Sequence, residues 1–266
     1  MAKSFSSSAA DGYKQASFSY QKRGGEAFIQ TDVCPQVGNV ILDLGCGTGE
    51  LSVYLAERVG PEGRVIGVDP DKERIQLARQ SHGHIKNLSF AEGSASSFLG
   101  MASNAYDIVF CNAALHWMPE KQQVFKDMFS SLKVGGKIAI HYNDHIPPFL
   151  LNAYKELNPE KVECILQMFH FEPRSRIEQY CLFTGFKIIK SYESCGVELV
   201  FETIESLLNW HWSTTHGVFD LSLVTEERLQ RYSALCGSKN NVSSSQQPKF
   251  QSGKTPLCRL IAVKQS

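Results

Sequence analysis

The chain has 266 residues, of which 42% are hydrophobic and 20% charged, with 27 Lys+Arg balanced by 27 Asp+Glu. This is the composition of a globular protein large enough to bury its own core without disulfides or metal. Zero formal net charge excludes the basic footprint of a nucleic-acid binder and a polybasic membrane-binding surface. No run approaches the ~20 apolar residues of a membrane-spanning helix.

Residues Met1 to Asp11 are rich in Ser and Ala with no apolar centre, so they read as a flexible tail and not a secretory signal. The eight cysteines are scattered with no C-x-x-C pair, as expected of reduced thiols in a cytoplasmic protein. Strands and helices then alternate through residues 38–142. Val40-Ile41-Leu42 is a short apolar run ending at Asp43 and a glycine loop. Thr48 to Arg58 carries helical spacing, with Leu51, Leu55 and Val59 on one face. Arg64 to Val68 is a second strand ending at Asp69, and Pro70-Asp71 opens a second helix, where proline costs nothing in the first turn. Leu88 to Ala91 and Tyr106 to Cys111 are further strands. A helix from Glu120 to Leu132 precedes Gly135-Gly136 and a fifth strand, Lys137 to His141. Near-continuous apolar strands separated by helices predict a parallel sheet covered on both faces.

Beyond residue 142 the rhythm breaks. Residues 143–236 read as helical, aromatic segments around a sixth strand, Phe186 to Ser191. Residues 237–254 read as a polar loop, and residues 255–264 as the last strand. The whole is expected to be one α/β domain, a Rossmann-like doubly wound sheet with a helical insertion covering its substrate.

The strongest chemical signal is Asp43-Leu44-Gly45-Cys46-Gly47-Thr48-Gly49 at the end of the first strand. Such glycines permit backbone torsions closed to other residues and let a ligand approach the main chain. The loop feeds a helix N-terminus, which favours an anionic group. Asp69 ends the second strand, where a carboxylate can accept from both hydroxyls of a ribose. A dinucleotide site reads G-x-G-x-x-G; here the third glycine comes one position early and Glu50 stands where that site needs glycine. Asp43 would repel pyrophosphate. S-adenosylmethionine meets both demands, its carboxylate facing the loop amides and its ammonium facing Asp43.

Asp43 to Gly49, Asp69, and Leu132-Lys133-Val134-Gly135-Gly136 before the fifth strand together resemble the class I S-adenosylmethionine-dependent methyltransferases. The resemblance implies a seven-stranded sheet with an antiparallel last strand. It places Gly45, Gly47 and Gly49 under the methionine moiety and Asp69 on the ribose, with Cys46, Pro70, Ala95 and Asn112 lining the same cofactor site. Where that family often carries an acid for the adenine amino group, this chain has Ser94. Asn112 to Pro119, with His116-Trp117, and Gln21-Lys22-Arg23 are similar to the small-molecule carboxyl methyltransferases of the trans-aconitate and juvenile hormone acid group. That likeness implies that Gln21 and Trp117 hold a substrate carboxylate.

The expected partner is a small molecule, carboxylate-bearing or apolar. A carboxylate is ionised at neutral pH and needs no general base, so two neutral donors suffice to orient it. His116 is either a base for a phenol, quinol or carbon acid, or a histidine held within its loop. Trp210, His211, Trp212 and His216 either wall an apolar acceptor or build the insertion's own core. Tyr13 and Tyr20 either cover the cofactor or simply pack. His141 and His145 do not mark a metal site, because Pro147-Pro148 follows and no helix aligns them. A non-catalytic binding protein on the same fold is the remaining alternative.

Overall fold

The computed structural model describes residues 22–201, 203–235 and 250–265. Gln21, Tyr13, Tyr20, the tail 1–11 and residues 237–249 of the expected loop lie outside these residues.

Two compact units arise from interleaved segments. Among the described residues, the larger takes 22–145, 170–194 and 256–265. Its sheet contains β1 (Val40–Leu44), β2 (Arg64–Asp69), β3 (Leu88–Glu92), β4 (Tyr106–Asn112), β5 (Leu132–Tyr142), β6 (Phe186–Glu193) and the last strand, β9 (Cys258–Lys264). They lie in the order β3-β2-β1-β4-β5-β9-β6. β1 to β5 pair in parallel, whereas β9 runs antiparallel between β5 and β6. The chain steps outward from β1 to β3 and then returns to the other side of β1 as β4. That reversal opens a crevice at the strands' carboxyl ends, where open α/β sheets bind ligands.

Alternation along each strand explains the two-sided burial. In β4, Ile108 and Phe110 face one core with Leu55 and Ile75, while Val109 and Cys111 face the other with Phe125 and Ile177. The first face is covered by α1 (Glu50–Val59), α2 (Lys72–His82) and Phe28, Ile29 and Val33 of the N-terminal helical segment. The second is covered by α3 (Lys121–Ser131) and a helix over Arg174–Thr184. The N-terminal segment is tied down by Asp32, which accepts from Lys190 Nζ at 3.0 Å, Tyr192 Oη at 2.9 Å and Arg259 at 2.9 Å.

Among the described residues, the second unit takes 146–169 and stretches within 195–255. Its helices Pro148–Leu157, Ile204–Thr214 and Glu226–Leu235 enclose Tyr154, Leu157, Leu207, Trp210, Phe219 and Tyr232. β8 (Phe250–Thr255) pairs antiparallel with β7 (Val197–Phe201), correcting the expected loop over 237–254 at its last five residues. Its Gln-Ser-Gly-Lys stretch carries no apolar alternation, so only the pairing partner reveals it as a strand.

Candidate functional site

The glycine loop leaves β1 with Gly45 at φ +80°, Gly47 at +57° and Gly49 at +91°, all in the region that favours glycine. Gly45 needs its missing side chain twice over, since a Cβ there would lie 2.4 Å from that of Ala114. The loop's amides turn inward. Gly45 and Cys46 N–H donate to the Val68 carbonyl at 2.8 and 3.0 Å, and Gly49 N–H to Cys46 at 3.1 Å. Gly47 N–H donates to Asp69 Oδ2 at 2.9 Å. All four of these amides have acceptors within the protein. They brace the loop across the end of β2, and the glycines serve torsion and close approach.

Asp43 is buried and accepts from Ser52 Oγ at 2.6 Å. Burial pushes its carboxyl up to about 7, helped by the negative charges of Asp69 and Glu50 and opposed by the Ser52 hydrogen bond. Asp69, also buried, accepts from Gly47 at Oδ2 and from Asp71 N–H at Oδ1, 2.9 Å. Each carboxylate oxygen keeps a second lone pair for a ligand hydroxyl. Glu50, noted in the sequence only as the wrong residue for a dinucleotide, opens α1. Its Oε2 accepts from Thr48 Oγ1 at 2.7 Å, while its buried Oε1 has no partner among the described residues. Three carboxylates around one loop make a site for a cation. Burial and the neighbouring acids keep Cys46 well above the usual thiol range, and burial with Asp43 pushes Cys111 up to about 12. Both are inert thiols.

Pro70 is exposed beside Asp71, which caps α2. Ser94 closes a tight turn with Ser97, its hydroxyl 3.2 Å from that of Ser96, and Ala95 packs on the sheet core. Asn112 ends β4 beside the backbone of Gly25, where a Cβ would lie 3.3 Å from the Asn112 carboxamide carbon.

Leu115–Trp117 is a single 3-10 turn whose Leu115 enters the core. The His116 ring stacks on Phe171, centroids 5.2 Å apart, and lies 5.3 Å from Trp117. Burial and the charge of Lys121 push His116 down to about 3. It is a neutral imidazole at physiological pH and a weak base. Lys121 holds the turn by donating to Met118 O at 2.9 Å and to His170 O. Trp210 and His211 are buried within the second unit, and His211 stacks on Phe219 at 5.2 Å. They build that unit's core. His141 and His145 part company: His141 reaches Asn112, and His145 pairs with Asp144 at 2.5 Å. A hollow of about 660 Å³ lined by Glu57, Pro61, Arg64 and Lys86 opens at the amino-terminal end of β2, away from this site.

Residues 35–180 match the family described as "Methyltransferase domain". An arsenite methyltransferase of Halobacterium salinarum is 37% identical over 114 residues, 42% of this chain and 29% of the relative. A demethylmenaquinone methyltransferase of Listeria monocytogenes is 33% identical over 39% of this chain and 44% of the relative. A trans-aconitate 2-methyltransferase of Deinococcus radiodurans is 33% identical over 42% of each. The matched segment thus spans less than half the length of these curated relatives. An S-adenosylmethionine-dependent methyltransferase of Mesorhizobium loti superposes with a TM-score of 0.54 over 91% of this chain and 96% of its own, at 16% identity, a likeness of fold.

Proposed function

The chain belongs to the methyltransferase-domain family, and on that premise we propose that it moves the methyl group of S-adenosylmethionine onto a small-molecule carboxylate. The carrying observation is the set of Asp43, Glu50 and Asp69 around the glycine loop, which suits a cationic adenosine ligand and opposes a pyrophosphate. Bound there, the cofactor supplies a sulfonium methyl; the acceptor oxygen bonds to its carbon as the carbon–sulfur bond breaks, leaving a neutral thioether.

The protein's own contribution is positioning, which can lower such a barrier by about 7–11 kcal/mol. Asp43 meets the ammonium and Asp69 the ribose hydroxyls. Gly45, Cys46, Gly47 and Gly49 line the methionine side, Asn112 offers its carboxamide there, and Pro70, Ser94 and Ala95 flank the adenosine. Trp117 and Gln21 orient the acceptor carboxylate through neutral N–H donors, which hold an anion without quenching it. The neutral His116 supports an acceptor that needs no base, and the trans-aconitate relative acts on a carboxylate-bearing molecule. The demethylmenaquinone relative supports a second reading, a quinol-like acceptor.

Calorimetry tests the cofactor: binding of S-adenosylmethionine at ~100 μM, within the usual range of enzyme–substrate affinities, and none of NAD, is the expected result. Labelled cofactor screened against acids, phenols and amines tests the acceptor. Label released by mild base marks a methyl ester, and base-stable label overturns the carboxylate reading.

A further inference from the structure

Antiparallel pairing at the β5-β9-β6 end of the sheet sets three side chains in one row. Cys258, the first residue of β9, stands opposite Tyr142 of β5 on one side and Glu193 of β6 on the other. Residues in register on adjacent strands project from the same face, here the face covered by the helix over Arg174–Thr184. Asp144 follows β5 by two residues and joins the row. An oxygen of Asp144, one of Glu193 and the Cys258 sulfur all lie within 4.8 Å of one another. The three residues are far apart in sequence, so no spacing motif announces the group.

The row is graded from inside to outside. Cys258 is 1% exposed, Asp144 is partly buried and Glu193 is exposed, so a soft ligand lies at the base and two hard ones at the mouth. His145 Nδ1–H donates to Asp144 Oδ1 at 2.5 Å, the kind of outer contact that holds a ligating carboxylate in place. Tyr142 is an independent sign. It is 1% exposed, and its hydroxyl has no partner among the described residues, a buried donor left without an acceptor. Burial raises its pKa, and the negative charges of Cys258 and Asp144 add to the rise, so the hydroxyl stands beside the same group. The Cys258 thiol meanwhile hydrogen-bonds Asp144, and burial with the charges of Asp144 and Glu193 pushes it up to about 12. Arg174, whose charge favours the thiolate, is paired with Glu178 at 3.6 Å. A divalent cation offsets the two carboxylates, releases the thiol proton to solvent and turns the sulfur into an acceptor that the Tyr142 hydroxyl can use.

We propose that Asp144, Glu193 and Cys258 bind a thiophilic divalent cation, zinc being the one that suits the set. Zinc takes a cysteine sulfur at about 2.3 Å and carboxylate oxygens at about 2.0–2.2 Å, whereas magnesium takes oxygens and water. Three protein ligands leave the fourth tetrahedral position to solvent. The cation fastens the ends of β5, β9 and β6 together. β4 lies between this row and β1 with its glycine loop, so the site is independent of the proposed methyl transfer.

Titration of the full, reduced chain with zinc alone is the test. One equivalent should bind and resist displacement by a large excess of magnesium. Cobalt(II) in its place should show a thiolate-to-cobalt charge-transfer absorption in the near ultraviolet. Cys258→Ser should abolish that absorption. Asp144→Asn and Glu193→Gln should each weaken zinc by about tenfold or more, and Tyr142→Phe by about tenfold, as for an outer partner of a metal ligand. The exposed thiols of Cys34, Cys164 and Cys195 are the competing ligands. A cobalt–thiolate absorption that survives Cys258→Ser, or a zinc affinity unchanged by Asp144→Asn and Glu193→Gln, overturns the proposal, as does an absence of zinc binding. If Cys258→Ser does not fold, Glu193→Gln, which alters an exposed side chain, decides by its zinc affinity.

Discussion

Asp43 is the residue whose chemistry the fold alters most. Its folded pKa, about 7, lies above the ordinary carboxylate value, so the native state holds this proton more tightly than the unfolded chain. Its contribution to stability is therefore fully present below about pH 4 and is lost as pH rises through 7. Asp43→Asn should remove that loss, raising the melting temperature of the ligand-free protein above pH 7. The same substitution should weaken S-adenosylmethionine tenfold or more, taking a hydrogen bond to a charged group at ~1.5–3 kcal/mol. In the unmodified protein, affinity should rise about tenfold per pH unit toward 7 as Asp43 ionises, then fall above about 8 as the ligand's α-amino group loses its proton. Titration calorimetry from pH 5.5 to 8.5 reads both limbs, and the variant should lack the rising one. Gly45→Ala combines a left-handed torsion, costing about 1–2 kcal/mol, with the Ala114 contact; cofactor binding should be undetectable and the melting temperature lower.

At the scale of elements, helix starts carry the local stability. Asp71 caps α2 by accepting from Glu73 and Arg74 N–H, while its own N–H donates to Asp69. In the second unit Thr203 and Ser206 form a reciprocal capping box at the start of Ile204–Thr214. Asp71→Ala and Thr203→Ala should each cost about 1 kcal/mol in chemical denaturation. Only the first is expected to weaken cofactor binding as well, because it loosens the turn that carries Asp69. The same ligand titration distinguishes them.

For the whole molecule, balanced charge has two consequences. With a pI near 7.1, solubility should pass through a minimum around neutral pH, measurable as turbidity, since a molecule without net charge lacks the repulsion that opposes association. On the proposed function, selectivity for a cationic ligand comes instead from local charge, that of Asp43, Glu50 and Asp69 around the glycine loop. Saturating S-adenosylmethionine should stabilise the fold by mass action, about 2.7 kcal/mol at a hundredfold excess over its Kd, and Asp43→Asn should shrink that thermal shift at a fixed ligand concentration.

The sequence by itself determined what depends on neighbours along the chain: the alternating strands, the glycine loop with its left-handed torsions, and the acids at Asp43 and Asp69 where strands end. Each of these is written in a few adjacent residues, because backbone torsion and side-chain periodicity are local properties. Tertiary structure decided the rest. The inward turn of the loop amides depends on Val68, a residue of the next strand. The strand at Phe250–Thr255 depends on Val197–Phe201, and the burial of Trp210 and His211 depends on Tyr154 and Phe219. The β4–β5 register sets His141 against Asn112, 29 residues away in sequence. Pairings between residues distant in sequence leave no local pattern, since register is chosen by the packing of the whole sheet.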